Sequence, residues 1–200
     1  MTKPAGKVRF TGIQSLEALE KHLPSLQALL ISSVNLDPST SSMGFLAPLD
    51  NERARQFWLE IASSLTGPNP EVAMMMAISE DTGDAIGSVL VARMLKETHS
   101  YRGEIRKLAV HPDYQGRGIG KLLMKAIERH ARNVMNLDFL VLSTATDTPA
   151  RAFYLKTGWT EWGICPDYAK LANGNKTRVS FFHKQLVEAD SVEGHGNMRN

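Results

Sequence analysis

Two repeats take turns along this chain: apolar residues at every second position in short stretches, and at every third or fourth in longer ones. These are the periods of strands and helices. Val8 and Phe10 alternate with Arg9 and Thr11, which predicts a first strand over 7–13. Ser15 then stands before Leu16, Leu19, Leu23, Leu26, Leu29 and Leu30 at helical spacing, with Pro24 placed to divide the helix. Residues 34–49 read as a loop. Its apolar insert, 43–46, either covers a ligand or packs back on the core. Asp50 caps a second predicted helix carrying Ala54, Phe57, Trp58, Ile61 and Leu65, and Gly67-Pro68-Asn69-Pro70 ends it. Strands over 71–79 and 85–95 flank a turn at 81–84. The first is apolar throughout, as in a strand buried on both faces. Met74, Met75 and Met76 fall on alternating faces and read as core filler.

The middle of the chain is its most ordered pattern. Residues 105–110 predict a strand broken only by Arg106 and Lys107, and His111-Pro112-Asp113 stops it. A helical stripe follows on Ile119, Leu122, Leu123, Ala126, Ile127, His130 and Ala131, with Lys121, Lys125, Glu128 and Arg129 opposite. Beyond it come a short buried strand over 139–142, a polar turn over 143–148 and a helix over 149–156 with proline in its first turn and Gly158 behind it. A strand over 159–164, a loop to 175 and a last strand over 177–186 complete the pattern. One domain is expected over 1–186, with 187–200 a disordered tail.

Between the central strand and its helix lies Gln115-Gly116-Arg117-Gly118-Ile119-Gly120. Alternate glycines allow positive φ and close approach of a ligand, and the N–H groups run into a helix N-terminus. That is a cradle for a pyrophosphate, with Arg117 and Lys121 adding positive charge. A nucleotide P-loop is excluded, because Lys121 is followed by Leu122 and not by Ser or Thr. A dinucleotide fingerprint fits poorly, because the glycines run G-x-G-x-G and Asp138 precedes its strand instead of ending it.

Composition narrows the setting without naming the chemistry. Charged residues make up 22% and the net charge is +2, so no nucleic-acid surface is expected. The longest apolar run, 72–78, is too short to span a bilayer, and residues 1–6 hold no apolar signal segment. With Cys165 alone no intrachain disulfide forms, which fits a cytoplasmic setting. The six histidines show no metal-ligand spacing, and no metal is expected.

The spacing Gln-x-x-Gly-x-Gly behind a Leu-Ala-Val strand resembles motif A of the GNAT acetyltransferases. Ala150 to Trp159, with Phe153, Tyr154 and Gly158, resembles their motif B. The resemblance covers roughly 7–186 and implies an α/β fold. Its mixed sheet would have about seven strands, mostly antiparallel, with a splayed central parallel pair and about four flanking helices. Acetyl-CoA would be the co-substrate, entering the splay between the strands of Leu108 and Leu142. The cofactor-binding residues so implied are Leu108, Ala109, Val110, Gln115, Gly116, Arg117, Gly118, Ile119, Gly120, Lys121 and Asp147. A backbone N–H of the 108–110 segment would hold the oxyanion. Glu104 is the candidate base, acting through water. It stands four residues before Leu108 on the central strand, so both side chains are expected to share one face; the structural alternative is an ion pair with Arg106. Tyr154 holds the motif B position of the acid, the alternative being a tyrosine packed in the core. Asp147 meets the pantetheine arm, the alternative being that Asp147 or Thr148 caps a helix.

Residues 44–50 and 163–169 resemble small-molecule GNAT enzymes of the tabtoxin-resistance type, which implies detoxification by N-acetylation of a primary amine in an amino-acid-like compound, toxin or antibiotic. Those enzymes tend to carry an acidic residue where this chain has Ser143. Acetylation of protein N-termini or lysines, or a CoA-binding module without catalysis, are the alternatives. The expected partner is a small amine, with no nucleic acid and no membrane; the family also admits a homodimer.

Overall fold

The computed structural model describes residues 6–37, 44–65 and 70–186. Among them seven strands form one mixed sheet: β1 (Val8–Ile13), β2 (Val72–Ser79), β3 (Ala85–Arg93), β4 (Arg102–Val110), β5 (Phe139–Ala145), β6 (Thr160–Lys170) and β7 (Lys176–Gln185). Their order is β1-β2-β3-β4-β5-β7-β6. Only β4 and β5 run parallel; the other five neighbouring pairs are antiparallel. The α-helices are α1 (Leu16–Glu20), α2 (Leu23–Asn35), α3 (Asn51–Ser64), α4 (Ile119–Asn133) and α5 (Pro149–Lys156). This is the mixed architecture with a central parallel pair that the resemblance implied.

The period-2 pattern of the inner strands builds two cores. Met74 and Met76 of β2 join Leu90 and Ala92 of β3 against Leu26, Leu30 and Trp58 of the α1–α3 layer. Ala73, Ala77, Val89 and Val91 point the other way, against Leu123, Met124 and Ile127 of α4. Full burial of each large apolar side chain contributes roughly 1.5–3 kcal/mol, so both faces of the inner strands are committed to packing.

Local signals decide where the helices begin. The Ser15 side chain accepts from the Ala18 N–H at 3.1 Å, and Asp50 accepts from the Arg53 N–H at 2.8 Å. Pro24 sits in the first turn of α2, so the expected division falls between α1 and α2. The Trp58 indole N–H donates to the Leu26 carbonyl at 3.0 Å and ties α3 to α2. The Asn35 amide donates to the Leu49 carbonyl and accepts from the Leu49 N–H, fastening the segment before α3 to the end of α2.

Three boundaries and one helix face stand out as different from the pattern. Helix α2 runs on to Asn35, past the predicted start of the loop. Strand β5 continues through Ser143 and Thr144 to Ala145, where a polar turn was expected, because β7 pairs with it across that whole stretch. Strand β6 continues to Lys170 through the expected loop; a bulge between Cys165 and Ala169 absorbs Pro166 and the positive φ of Asp167. An edge strand tolerates the missing proline donor. On α4 the buried stripe is Ile119, Leu123, Met124, Ile127 and Ala131; Leu122 is 50% exposed and His130 half-buried, its pKa lowered by burial. Residues 39–43, the helix stop at 67–69 and the 187–200 tail lie outside the described residues.

Helix α5 is held against the outer strands by Arg151, whose guanidinium donates to both carboxylate oxygens of Glu161 at 2.9 and 2.7 Å. The hydrogen bond from Arg151 holds the Glu161 carboxyl down to about 2, against an ordinary value of 4.5. A carboxyl depressed in the folded state stabilises above its unfolded value and loses that contribution as the pH falls through its folded one. Glu161→Gln should therefore melt below the parent protein at pH 7, and the gap should close as the pH falls from about 4.5 toward about 2. Paired thermal melts across that range are the check; a gap that stays constant with pH would contradict it.

Candidate active site

Strand β4 is paired with β3 from Gly103 to Val110, but with β5 only from Arg102 to Glu104, opposite Phe139 to Val141. Past that point the two parallel strands diverge. The space between them opens a cavity of about 750 Å³, bordered by Leu108, Ala109 and Val110 on one side, Ser143 and Thr144 on the other, and Tyr154 from α5. Its other end is walled by Leu29 and Ser33 of α2, Phe57 of α3, Gly44, and Tyr168 of β6. The divergence expected between the strands of Leu108 and Leu142 is thus present.

A bulge shapes the β4 wall. The register with β3 shifts between Ser88 and Leu90, so two residues of β4 stand opposite Val89, and Lys107 takes φ 51°. Holding a non-glycine residue in that region costs about 1–2 kcal/mol. The bulge reverses the alternation behind it. Glu104 pairs with Ala92 of the α1–α3 core, whereas Leu108 packs in the α4 core. This corrects the shared face expected of Glu104 and Leu108, an expectation that held only for a strand without an extra residue. Glu104 still borders the cavity. It does so in an ion pair, accepting from the Arg106 Nε at 2.7 Å.

Lys107 was passed over in the sequence as an interruption of an apolar strand. It lines the cavity, with its Nζ 4.4 Å from the Phe45 ring centroid and 5.3 Å from that of Phe57. Burial, helped by the Arg106 charge, pushes its amine down to about 8. Two adjacent charged residues inside a β pattern were the signal, since an unbroken strand would send one of them into the core. Phe45 packs on Phe57 at 5.2 Å while Gly44 borders the cavity, so the 44–46 segment both rests on the core and faces the opening.

The glycine loop keeps its predicted form. Gly116 and Gly118 have φ 74° and 79°; Gly118 is the N-cap of α4, and a Cβ at either would meet open space. No side chain caps this helix, so its first N–H groups face that space with the positive end of the dipole. The Gln115 side chain donates to the Val110 carbonyl at 2.9 Å, joining loop to strand. Arg117 turns back, donating to the Asp113 carbonyl and lying over the Tyr114 ring. Lys121 is exposed on the first turn, and Gly120 lies against Phe153. Of the loop, Gln115 borders the cavity; Gly116 to Lys121 lie beyond its lining.

Tyr154 is 7% exposed, with its ring among Phe153, Trp159 and Phe182, and it still borders the cavity. Burial pushes its hydroxyl up to about 12, so it stays protonated at any physiological pH. Asp147 is elsewhere: its carboxylate accepts from Arg178 at 2.7 Å, it is 65% exposed at the side chain, and it is not in the cavity lining. The α5 N-cap is Thr148, whose hydroxyl donates to the Ala145 carbonyl.

The strand, glycine loop and helix described here fall within residues 40–159, which match the sequence profile of the acetyltransferase (GNAT) family. The chain belongs to that family. Among curated relatives it is 34% identical, over 79 residues, to the aminoglycoside 2'-N-acetyltransferase of Mycolicibacterium fortuitum, covering 39% of this chain and 38% of that one. The chain spans less than half the length of the curated relatives it matches. In fold, this GNAT chain is similar to the ribosomal-protein-alanine N-acetyltransferase of Brucella melitensis, at TM-score 0.67 and 20% identity over 88% of this chain and 99% of that one. It is also similar to the yncA protein of Salmonella typhimurium, solved with acetyl-CoA, at TM-score 0.67 and 17% identity over 92% and 97%.

Proposed function

We propose that this GNAT protein transfers the acetyl group of acetyl-CoA to a primary amine of a small molecule by direct attack. The observation that carries the reading is the single cavity that Glu104, Leu108–Val110 and Tyr154 all border. The uncapped N-terminus of α4 and the open space before Gly116 and Gly118 fit a pyrophosphate. Gln115 to Lys121 would hold that group, and the free edge of β4 from Leu108 to Val110 would take the pantetheine arm. In its ion pair with Arg178, Asp147 would reach that arm only by giving up this partner.

An alkyl ammonium has a pKa near ~10 and must lose a proton before it attacks. Glu104 receives that proton through water, and Arg106 beside it offsets the carboxylate charge. A backbone N–H of the bulged β4 segment donates to the developing oxyanion, a contribution of ~3 kcal/mol. Tyr154 donates a hydrogen bond to the departing sulfur. With its hydroxyl near 12 and a thiol at about 8.5, complete transfer would be uphill by about 5 kcal/mol, so Tyr154 stabilises the leaving thiolate and solvent supplies the final proton.

A small acceptor is favoured by the walls: the end of α2, Gly44 and Tyr168 border the acceptor side. The tabtoxin-type likeness of residues 44–50 and 163–169 points the same way, toward detoxification of an amino-acid-like compound, and so does the aminoglycoside-modifying relative. The ribosomal-protein-alanine enzyme among the fold relatives speaks for a peptide acceptor instead. Thiol release from acetyl-CoA, measured with small amines, amino acids and a peptide mixture, decides between them. Release with small amines is the expected result; release with peptides alone would overturn the small-molecule reading.

Two substitutions test the residue roles. Tyr154→Phe should lower kcat about a hundredfold and leave the Kd for acetyl-CoA unchanged; an unaltered kcat would remove Tyr154 from the reaction. Gly118→Asn keeps a residue type that tolerates φ 79° and points its Cβ into the open space before the helix. It should melt close to the parent protein and weaken acetyl-CoA binding at least tenfold by calorimetry. Parental affinity would move the pyrophosphate elsewhere.

A further inference from the structure

A second cavity lies at the closed end of the seam between β4 and β5. It has a volume of about 260 Å³ and is lined by Tyr101, Arg102, Phe139, Val141, Trp162 and His183. The strand register ties it to the candidate active site. Residues opposite each other in a sheet share a face, and so do alternate residues of one strand. Arg102 stands opposite Phe139, Glu104 opposite Val141, and Val141 opposite His183. Glu104 and Ser143 border the large cavity, whereas Arg102 and Val141, each two residues earlier on the same strands, border the small one. Both openings therefore lie on one face of the sheet. An aromatic row joins them across the outer strands. Tyr168 of the large cavity packs on Phe181 at 5.0 Å, and Phe181 packs on Trp162 of the small one at 5.5 Å.

The chemistry of the small cavity is a cation among rings. Arg102 Nε and His183 Nδ1 are buried and have no hydrogen-bond partner among the described residues. The Arg102 guanidinium lies over the Phe139 ring, which stacks on the His183 imidazole at 5.2 Å. Among the described residues no acidic side chain lines this cavity. A buried donor without an acceptor is costly, and an anion that reaches it removes the cost. A carboxylate suits a guanidinium best, because the two can meet through paired, charge-assisted hydrogen bonds. Tyr101 and Trp162 are exposed at the rim and offer their faces to an apolar body.

We infer that the small cavity is the distal half of the acceptor site, and that the acceptor is a small, elongated amine whose carboxylate is held by Arg102 while its amine faces Glu104. Two residues of one strand separate those side chains, a rise of about 6.6 Å. Amine and carboxylate therefore stand at opposite ends of an apolar body laid along Phe139 and Trp162. The α-amine of a free amino acid is too close to its own carboxylate to reach both; a side-chain or chain-terminal amine is not. The inference rests on the acetyl transfer proposed above and narrows its acceptor.

The test is steady-state acetylation of unbranched ω-amino acids whose lengths fall below and above that rise, each beside its methyl ester. The proteins compared are the parent, Arg102→Gln, Arg102→Lys and Trp162→Ala, with a thermal shift on adding acetyl-CoA as the check that each is folded. In the parent protein the longer acids should be preferred over their esters by about tenfold or more in kcat/KM, and the shortest should show no such preference. Arg102→Gln should erase the preference through KM for the acid, and Arg102→Lys should restore part of it. Trp162 is 61% exposed, so its loss leaves the core intact; Trp162→Ala should raise KM for long acids and long esters alike. Acetylation with no acid preference at any length would overturn the inference and leave the acetyltransferase reading standing. So would a preference that survives Arg102→Gln. A dimer in sedimentation that Trp162→Ala converts to a monomer would also overturn it, by assigning this face to a second copy of the chain. No thiol release with any amine would overturn both readings. If Arg102→Gln fails to fold, the dependence of the acid-to-ester ratio on length in the parent protein still decides.

Discussion

Everything in this site follows from a contest for the backbone of one strand. β4 has two neighbours and can satisfy both only over Arg102 to Glu104. Antiparallel β3 keeps its hold to Val110, and parallel β5 lets go. Backbone polar groups left without a partner are costly unless water or a ligand meets them. The edge of β4 from Leu108 to Val110 therefore borders the cavity without a β5 partner, and the Gln115 side chain meets the Val110 carbonyl. The extra residue at Lys107 belongs to the same contest, since it re-aims the side chains along the half of β4 that β5 has abandoned.

The electrostatics are arranged by burial as much as by charge. Tyr154 is held protonated by its apolar surroundings, Glu161 is held ionised by Arg151, and Lys107 is held less basic than a surface lysine. These shifts have different uses. The Glu161 pair fixes α5, and with it the backbone that carries Tyr154. Tyr154 keeps its proton because its burial beside Phe153, Trp159 and Phe182 disfavours the charged phenolate. The rigidity of one small helix thus sets the position of a hydroxyl at the cavity wall.

Features whose cause is local were legible in the sequence. Ser15, Pro24, Asp50 and the alternate glycines act within a turn of where they stand, and each did what its chemistry dictates. Features whose cause lies far away were not. Pro166 and Asp167 read as loop formers, yet β7 carries them into β6. Asp147 looked like a cap or a ligand contact, and Arg178, 31 residues on, takes its carboxylate. The adjacent charges of Arg106 and Lys107 did mark an irregular strand. Reading a bulge from them required knowing that both faces of that strand were already occupied, which is tertiary information. The acceptor wall from α2 was likewise invisible, because its residues look like any buried helical stripe.

The short ladder between β4 and β5 divides the sheet into β1–β4 and the β5-β7-β6 group, joined at this seam by three paired residues and the packing beneath it. Such a seam is the natural place for the two halves to fluctuate against each other. Anything that lies in the cleft touches both halves at once and acts as a clamp across the seam. Occupancy of the cleft therefore couples the rigidity of the α2 side of the acceptor wall to that of the outer strands.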